Sequence, residues 1–174
     1  MKRATWYFDF ISPFAYLQWR RLRDDRRLAL EPVPILFAAV LDHVGQKGPA
    51  EIPGKRTFTY RFVHWQARRA GVPLRFPPAH PFNPMAALRL SIAAGNAPRA
   101  IDAIYAHLWA EGRQGDDAAS LTPVARSLGI PDVAAAIGDA AVKAKLRENT
   151  DAAIAAGVFG VPTLVMDGQF FWGN

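Results

Sequence analysis

Residues 8–17 read FDFISPFAYL, and in this stretch an aromatic run gives way to a serine–proline pair. The aromatic run predicts a buried strand over residues 4–10, because aromatic side chains favour the pleated, packed surface of a sheet. Serine is favoured immediately before a helix, and proline is favoured at the first helical position. Ser12 and Pro13 therefore predict a helix that begins where the strand has just ended.

The sequence predicts three further strands on either side of a long helical region. Residues 28–36 predict a second strand, which Pro32 and Pro34 confine to an edge or an end of the sheet. Because this segment follows a strand and a helix, it predicts a parallel β-α-β unit. Near the end of the sequence, residues 163–166 and 169–172 predict two strands joined by an Asp-Gly hairpin turn.

The intervening residues 37–157 predict mostly helix. Residues 37–49 predict a polar connection, and residues 76–84, which contain four prolines, predict an extended loop. Elsewhere in this region apolar residues recur at helical spacing, which predicts several packed helices. One helix is expected to begin at Thr122, which precedes a proline, and an alanine-rich helix is expected over residues 132–156.

The composition limits the chemistry that the protein can perform. The 174 residues suit one domain with ample material for a core, and 51% hydrophobic against 21% charged residues does not predict disorder. The sequence contains no cysteine, which excludes disulfides, thiolate metal sites, cysteine nucleophiles and dithiol redox chemistry. Any sulfur chemistry must therefore be supplied by a ligand.

Several classes of function find no support in the sequence. His43, His64 and His107 lack the spacing of metal ligands, so no metal site is expected. No glycine-rich phosphate-binding loop or nucleic-acid-binding motif is present. Asp9 lies about one turn before Ser12, but no histidine is suitably placed, so a serine hydrolase is not expected.

No targeting or membrane-spanning segment is visible. The first apolar run is broken by Asp9 and lacks a small-residue cleavage site, and no stretch approaches the roughly 20 apolar residues that cross a bilayer. We therefore expect a soluble, cytoplasmic protein that binds neither membrane nor nucleic acid. The net charge of +6 is compatible with a small anionic ligand.

Four segments, taken in chain order, resemble one protein family. They are residues 8–17, 80–84 (HPFNP), 159–163 (FGVPT) and 171–174 (FWGN). Together they resemble the 2-hydroxychromene-2-carboxylate isomerases and their relatives, the kappa-class glutathione transferases. The resemblance covers nearly the whole chain and keeps the order of the motifs.

The resemblance implies an α/β chain with a thioredoxin-like fold of the DsbA-like type and a large all-helical insertion domain. Residues 1–36 and 158–174 would form the thioredoxin-like domain, and residues 37–157 would form the insertion. In the family the terminal motif continues into an acidic residue, an arginine and a last helix, which lie beyond Asn174. Relatives are usually dimers, so a homodimer is expected.

Ser12 is the expected catalytic residue. A helix N-terminus carries unpaired N–H groups and a partial positive charge, so it stabilises anions and lowers the pKa of a thiol placed there. In a protein without cysteine, this thiol would belong to bound glutathione, and the Ser12 hydroxyl would donate a hydrogen bond to its sulfur. The alternative is that Ser12 is only a helix cap, worth about 1 kcal/mol.

The resemblance assigns the remaining glutathione contacts to two other motifs. It implies that the peptide bond before Pro162 is cis and that the backbone of Val161 pairs with the cysteinyl part of glutathione, as an added strand would. The alternative is an ordinary trans proline that opens a strand. Trp172, Gly173 and Asn174 would hold the γ-glutamyl end.

Four residues are expected near the substrate. Lys55, which Arg56 follows, would hold a carboxylate, although a solvated helix start is an equal alternative. Gln46 stands where relatives commonly carry an asparagine. The resemblance places Asn83 and Pro84 near the substrate as well, whereas the neighbouring histidine of this loop has no assigned role.

The resemblance implies a glutathione-dependent cis–trans isomerase that acts on a small anionic aromatic substrate. The family reaction interconverts 2-hydroxychromene-2-carboxylate and trans-o-hydroxybenzylidenepyruvate in the catabolism of aromatic compounds. Two alternatives stay open at this point. The same site would serve a glutathione transferase or peroxidase acting on small electrophiles, and the fold would also suit a non-catalytic thioredoxin-like binding module.

Overall fold

The computed structural model describes residues 1–173, and its centre is a mixed four-stranded sheet with the strand order β2-β1-β3-β4. Strand β1 pairs in parallel with β2 and antiparallel with β3, and β4 pairs antiparallel with β3. The predicted parallel unit, the edge position of the second strand and the terminal hairpin are therefore confirmed. The strands are β1 (Lys2–Phe8), β2 (Leu28–Pro34), β3 (Thr163–Met166) and β4 (Gln169–Trp172).

Helix α1 joins β1 to β2, and seven further α-helices lie between β2 and β3 in the part of the chain that the structure describes. We call residues 37–157 the helical insertion. A π-helical turn over Ala106–Ala110 directly continues α5. The helices are α1 (Pro13–Leu22), α2 (Phe37–His43), α3 (Pro53–Ala70), α4 (Met85–Ala93), α5 (Pro98–Tyr105), α6 (Ala118–Ser127), α7 (Val133–Gly138) and α8 (Ala140–Ala155).

The predicted α/β fold with a helical insertion is confirmed, but the finer division into domains stays a prediction. That division assigned residues 1–36 and 158–174 to one domain and residues 37–157 to another.

Within residues 1–173, no helix is both long enough and apolar enough to cross a bilayer. The expected cytoplasmic location and the expected homodimer likewise stay predictions.

The predicted connection over residues 37–49 is wrong at its start, where the structure forms α2. Val40 is fully buried and packs in a small cluster with Ile35 and Ala153, so tertiary packing holds this short segment in a helix. The predicted first strand, residues 4–10, is displaced by two residues, since β1 runs from Lys2 to Phe8. Asp9 ends the strand because its carboxyl group accepts a hydrogen bond from the Ile11 N–H in the following turn.

Two predicted helix boundaries are wrong for the same physical reason, which is that an aspartate caps the helix at another place. Helix α6 begins one turn before Thr122, because the Asp117 carboxylate accepts a hydrogen bond from Ser120 N at 2.8 Å. The Thr122 hydroxyl instead donates to a carbonyl oxygen of the preceding turn. The alanine-rich segment is split into α7 and α8 by Asp139, whose carboxylate accepts from Val142 N at 2.9 Å.

The core joins the sheet to the helical insertion through aromatic rings. Trp6 and Phe8 of β1 are completely buried and stack with their ring centroids 4.4 Å apart. Trp19 of α1 stacks on Trp6 at 5.3 Å, and Tyr105 of α5 packs against Phe10 at 4.7 Å. The turn between β1 and α1 is therefore packed between the thioredoxin-like sheet and a helix of the insertion.

A buried carboxyl group fixes the same turn. Asp9 is completely buried, and its two oxygens accept hydrogen bonds from Ile11 N at 3.0 Å and from Phe37 N at 2.9 Å. Burial raises the pKa of Asp9 from 3.8 to about 7, although the backbone hydrogen bonds from Phe37 and Ile11 oppose this change. One side chain thus ties the end of β1 to the first residue of α2.

Because the pKa of Asp9 is raised in the folded protein, its ionisation should destabilise the fold as the pH rises from about 4 to about 7. Within that range the free energy of unfolding falls by up to about 1.4 kcal/mol per pH unit. We expect Asp9→Asn to remove this dependence. Relative to wild type, the free energy of unfolding of the variant should rise by about 2 kcal/mol between pH 5 and pH 7.

Urea denaturation at several pH values measures this difference. Asp25→Asn is a suitable control, because the pKa of Asp25 is lowered to about 2 by its hydrogen bonds with Arg27, and Asp25 therefore does not titrate in this range. A constant difference between Asp9→Asn and wild type from pH 5 to pH 7 would contradict the prediction.

Candidate active site

Ser12 lies at the N-terminus of α1, as the sequence predicts. Its backbone is extended (φ −90°, ψ 114°), its hydroxyl oxygen accepts a hydrogen bond from Ala15 N at 3.2 Å, and its carbonyl oxygen accepts from Tyr16 N. Ser12 is therefore a helix cap. Only 7% of its surface is exposed, so the hydroxyl lies in a largely protected environment.

The same helix end presents two hydrogen-bond donors that are not used within the described chain. The Ser12 hydroxyl accepts a hydrogen bond, but its own hydrogen has no acceptor among residues 1–173. The Phe14 N–H also has no partner there, because the first helical backbone bond comes from Tyr16 N. Pro13 has no N–H. The helix end thus offers one hydroxyl and one backbone donor, together with the positive end of the helix dipole, to an anion.

The Val161–Pro162 peptide bond is cis, which confirms that part of the prediction. Thr163, which follows, pairs with Tyr7 of β1 and with Trp172 of β4. Since β1 ends where the antiparallel β3 begins, Val161 and Pro162 lie at the same edge of the sheet as Ser12. Neither the N–H nor the carbonyl group of Val161 has a hydrogen-bond partner in residues 1–173. An extended peptide could therefore pair with Val161.

Gly173 is drawn to the same edge by two hydrogen bonds. Its N–H donates to the carbonyl oxygen of Pro162 at 3.0 Å, and its carbonyl oxygen accepts from Gln18 Nε2 at 2.6 Å. Gln18, on α1, also accepts a hydrogen bond from Trp6 Nε1 at 2.6 Å. Helix α1 is thus connected directly to the end of β4. Asn174, the last predicted residue of this group, lies outside the described residues.

The Trp172 ring lies over the loop that precedes Pro162. Its side chain is 63% exposed and packs against Phe159 with ring centroids 5.3 Å apart. The indole nitrogen lies against Gly160, where a Cβ atom would be only 2.6 Å away. Glycine at this position therefore allows the tryptophan to sit beside Val161.

The predicted substrate residues are less closely connected. Gln46 and Lys55 are exposed, and neither side chain forms a hydrogen bond or an ion pair with another described residue. Asn83 is exposed and has a local role, because its Oδ1 accepts a hydrogen bond from Met85 N at 3.1 Å where α4 begins. Pro84 is buried immediately before α4. Within residues 1–173 no hydrogen bond joins these four residues to Ser12, and their substrate role stays a prediction.

An exposed aromatic stripe leads away from α1 along α3. The helical spacing of the aromatic residues predicts the helix itself. Phe62 contacts Phe14 of α1 at 6.2 Å between ring centroids and stacks with Phe58 and Trp65 at 5.7 Å each. Phe58 is 68% exposed and Trp65 51% exposed. Sequence reasoning did not identify this stripe as exposed, because the same spacing is more typical of a buried helix face.

Sequence reasoning also gave no definite role to His80. In the structure, its ring lies against the backbone of Ile11, the residue that precedes Ser12. His80 Nε2 lies 2.9 Å from the carbonyl oxygen of Ile11, and Nδ1 lies 2.7 Å from the hydroxyl of Tyr60. The His80–Pro81 peptide bond is cis, and this was not predicted. Neither carboxyl oxygen of Asp9 contacts an imidazole in the described residues, so Asp9 and Ser12 do not form a hydrolase triad.

Residues 5–174 match the family model described as a DSBA-like thioredoxin domain. A 2-hydroxychromene-2-carboxylate isomerase of Pseudomonas putida is 32% identical over 179 residues, which cover 98% of this chain and 88% of the relative. A glutathione S-transferase kappa 2 of Caenorhabditis elegans is 29% identical over 186 residues, which cover 97% of this chain and 83% of the relative. The predicted resemblance to both groups is confirmed.

A solved structure of a 2-hydroxychromene-2-carboxylate isomerase superposes with a TM-score of 0.86 at 26% sequence identity. The superposition covers 98% of this chain and 88% of the other. It confirms the thioredoxin-like fold with a helical insertion. On the family model and these relatives together, the chain belongs to the family of DSBA-like thioredoxin domains.

Proposed function

We propose that the chain is a glutathione-dependent isomerase of an aromatic keto acid, of the type that interconverts 2-hydroxychromene-2-carboxylate and trans-o-hydroxybenzylidenepyruvate. The observation that carries this proposal is the pair of unused donors at the N-terminus of α1, the Ser12 hydroxyl and the Phe14 N–H, in a chain without cysteine. Relatives named as isomerases support the reaction type.

The donors at α1 fit a thiolate. When bound, glutathione would supply a thiolate that adds reversibly to an electron-poor carbon. The addition turns a double bond into a single bond that can rotate, and elimination then restores the double bond and releases the thiolate. Ser12 would donate its hydroxyl hydrogen to the sulfur, and the helix end would favour the ionised form. Because the pKa of Asp9 is raised to about 7, this buried carboxyl is partly protonated at neutral pH and opposes a nearby anion less than a fully ionised group would.

The opposite side of the site fits a peptide ligand. The unused N–H and carbonyl groups of Val161 would pair with the cysteinyl unit in the manner of an added strand. Pro162 sets the position of Val161 at the sheet edge. Trp172 and Gly173, with Asn174, would hold the γ-glutamyl end, and the exposed face of the indole ring is available for that contact.

The substrate would bind on the side of α3. Phe62 extends an aromatic surface from Phe14, the residue whose N–H is unused. Lys55 and Arg56, at the start of α3, are exposed cations that suit the carboxylate of an anionic aromatic acid. Gln46, Asn83 and Pro84 complete the proposed substrate group.

A second function shares the same site. Glutathione S-transferases of the kappa class are among the relatives, so the thiolate would alternatively form a stable conjugate with a small electrophile. Isomerisation regenerates free glutathione, whereas conjugation consumes it. Mass spectrometry of the reaction mixture distinguishes the two, because only the transferase leaves a glutathione adduct.

The proposal predicts that isomerisation of 2-hydroxychromene-2-carboxylate depends on glutathione. Turnover, followed by the absorbance change of the substrate, should be lost when glutathione is omitted and should recover on its addition. Unchanged turnover without glutathione would exclude the proposed chemistry.

Ser12→Ala should reduce kcat/KM by roughly 10- to 150-fold, because it removes a hydrogen bond to a charged group worth about 1.5–3 kcal/mol. It should also destabilise the protein by about 1 kcal/mol through loss of the helix cap. Asp139→Ala is the matched control, since it removes the cap of α8 at similar cost but lies outside the proposed site. Equal activities of the two variants would indicate that Ser12 is only a cap.

Gly160→Ala should weaken glutathione binding severalfold with little change in kcat, because the added methyl group must displace the Trp172 ring. Calorimetry measures the affinity, and tryptophan fluorescence reports the displaced ring. Gly138→Ala is the control, since its added methyl group meets nothing within 4 Å. Unchanged affinity despite a changed fluorescence spectrum would show that Trp172 does not contact glutathione.

A further inference from the structure

Three consecutive backbone carbonyls in the turn before Ser12 accept hydrogen bonds from side chains of the helical insertion. The carbonyl oxygen of residue 9 accepts from the Tyr105 hydroxyl at 3.4 Å, and that of residue 10 accepts from Trp109 Nε1 at 2.7 Å. The carbonyl oxygen of residue 11 lies 2.9 Å from His80 Nε2. We call Tyr105, Trp109 and His80 the carbonyl brace.

Two members of the carbonyl brace are part of the buried core. Tyr105 and Trp109 are completely buried, at the end of α5 and in the π-helical turn that follows it. The carbonyl oxygen of Trp109 in turn accepts a hydrogen bond from Arg75 N at 2.7 Å. These two donors are therefore fixed by packing and cannot be removed without disturbing the core.

His80 has a protonation state that its neighbours determine. A carbonyl oxygen only accepts, so the nitrogen that faces Ile11, Nε2, must carry a hydrogen. Burial lowers the pKa of His80, which favours the neutral ring, so Nδ1 is an acceptor. The single hydroxyl hydrogen of Tyr60 is shared between this nitrogen, at 2.7 Å, and the carbonyl oxygen of His80, at 2.9 Å. Burial raises the pKa of Tyr60, so that the phenol keeps its proton. Tyr60, His80 and Ile11 thus form a chain of hydrogen bonds with a defined direction.

The turn that the carbonyl brace holds determines where the donors of α1 point. Ile11 is bonded on both sides, because its N–H donates to the Asp9 carboxyl group while its carbonyl faces His80. Ser12 follows directly, and its own N–H donates to the carbonyl oxygen of Asp9. A displacement of Ile11 would therefore move the Ser12 hydroxyl relative to the helix axis.

We propose that the carbonyl brace positions the Ser12 turn for reaction and that His80 is its adjustable member, a positioning residue that acts on Ser12 through Ile11. His80 contacts neither thiolate nor substrate in this role. The inference rests on the proposed function for its effect on turnover, but the restraint on the turn can be measured separately. It gives the helical insertion a part in the chemistry beyond forming the substrate side of the site.

Two substitutions of His80 distinguish the hydrogen bond made by Nε2 from the one made by Nδ1. In His80→Gln the amide nitrogen is three bonds from Cβ, as Nε2 is, so it can donate to Ile11. In His80→Asn both amide atoms are two bonds from Cβ, as Nδ1 is, so the amide oxygen can accept from Tyr60 but no donor reaches the Ile11 carbonyl. His43→Asn is the control, because His43 is exposed and its ring forms no hydrogen bond in residues 1–173.

We expect His80→Asn to lower kcat by about tenfold with a nearly unchanged Kd for glutathione, and His80→Gln to keep activity within about threefold of wild type. Hydrogen–deuterium exchange of the full chain should be faster at residues 9–12 in His80→Asn than in His80→Gln, while their unfolding temperatures agree. A role limited to holding the proline-rich loop would lower the activity of both variants equally.

Different results would contradict the role of His80 and the proposed function. If wild type turns over with glutathione but His80→Asn matches it in both kcat and exchange, the carbonyl brace does not position Ser12. If wild type shows no glutathione-dependent turnover, the proposed function fails, and the exchange comparison still decides whether His80 restrains the turn.

Discussion

The turn between β1 and α1 leaves the sheet while it is still buried, so its backbone polar groups need partners that the sheet cannot supply. Side chains meet this need. The carboxyl group of Asp9 accepts from the N–H groups of Ile11 and Phe37, and the carbonyl brace donates to the three carbonyls before Ser12. The position of α1, and with it the proposed site, depends on these hydrogen bonds.

This arrangement also explains how an anion could be accepted beside a buried carboxyl group. An ionised Asp9 would repel a thiolate in a protected environment, where charges interact more strongly than in water. Burial raises the pKa of Asp9 to about 7 and reduces its charge at neutral pH. The unused donors of Ser12 and Phe14, at the positive end of the helix dipole, then favour an anion. The choice between isomerisation and conjugation would depend on the substrate that the α3 side admits.

The sequence predicted the parts of the fold that depend on local patterns. The serine–proline pair marked the start of α1, the strands alternated with turns at recognisable residues, and Asp-Gly gave the hairpin between β3 and β4. Errors arose where a side chain elsewhere outweighed the local pattern. Asp117 and Asp139 moved helix boundaries by capping, and burial of Val40 made a helix of a segment that resembled a connection.

The sequence by itself determined that Ser12 caps the first helix, that sulfur chemistry requires an external thiol, and which family the motifs resemble. These conclusions rest on residue types and short spacings, which need no knowledge of distant contacts. Only the tertiary structure decided that Asp9 is buried, that the aromatic stripe of α3 is exposed and that His80 faces the turn before Ser12. The physical reason is that burial and hydrogen bonding between residues some 70 positions apart in sequence arise from packing, and no local pattern encodes them.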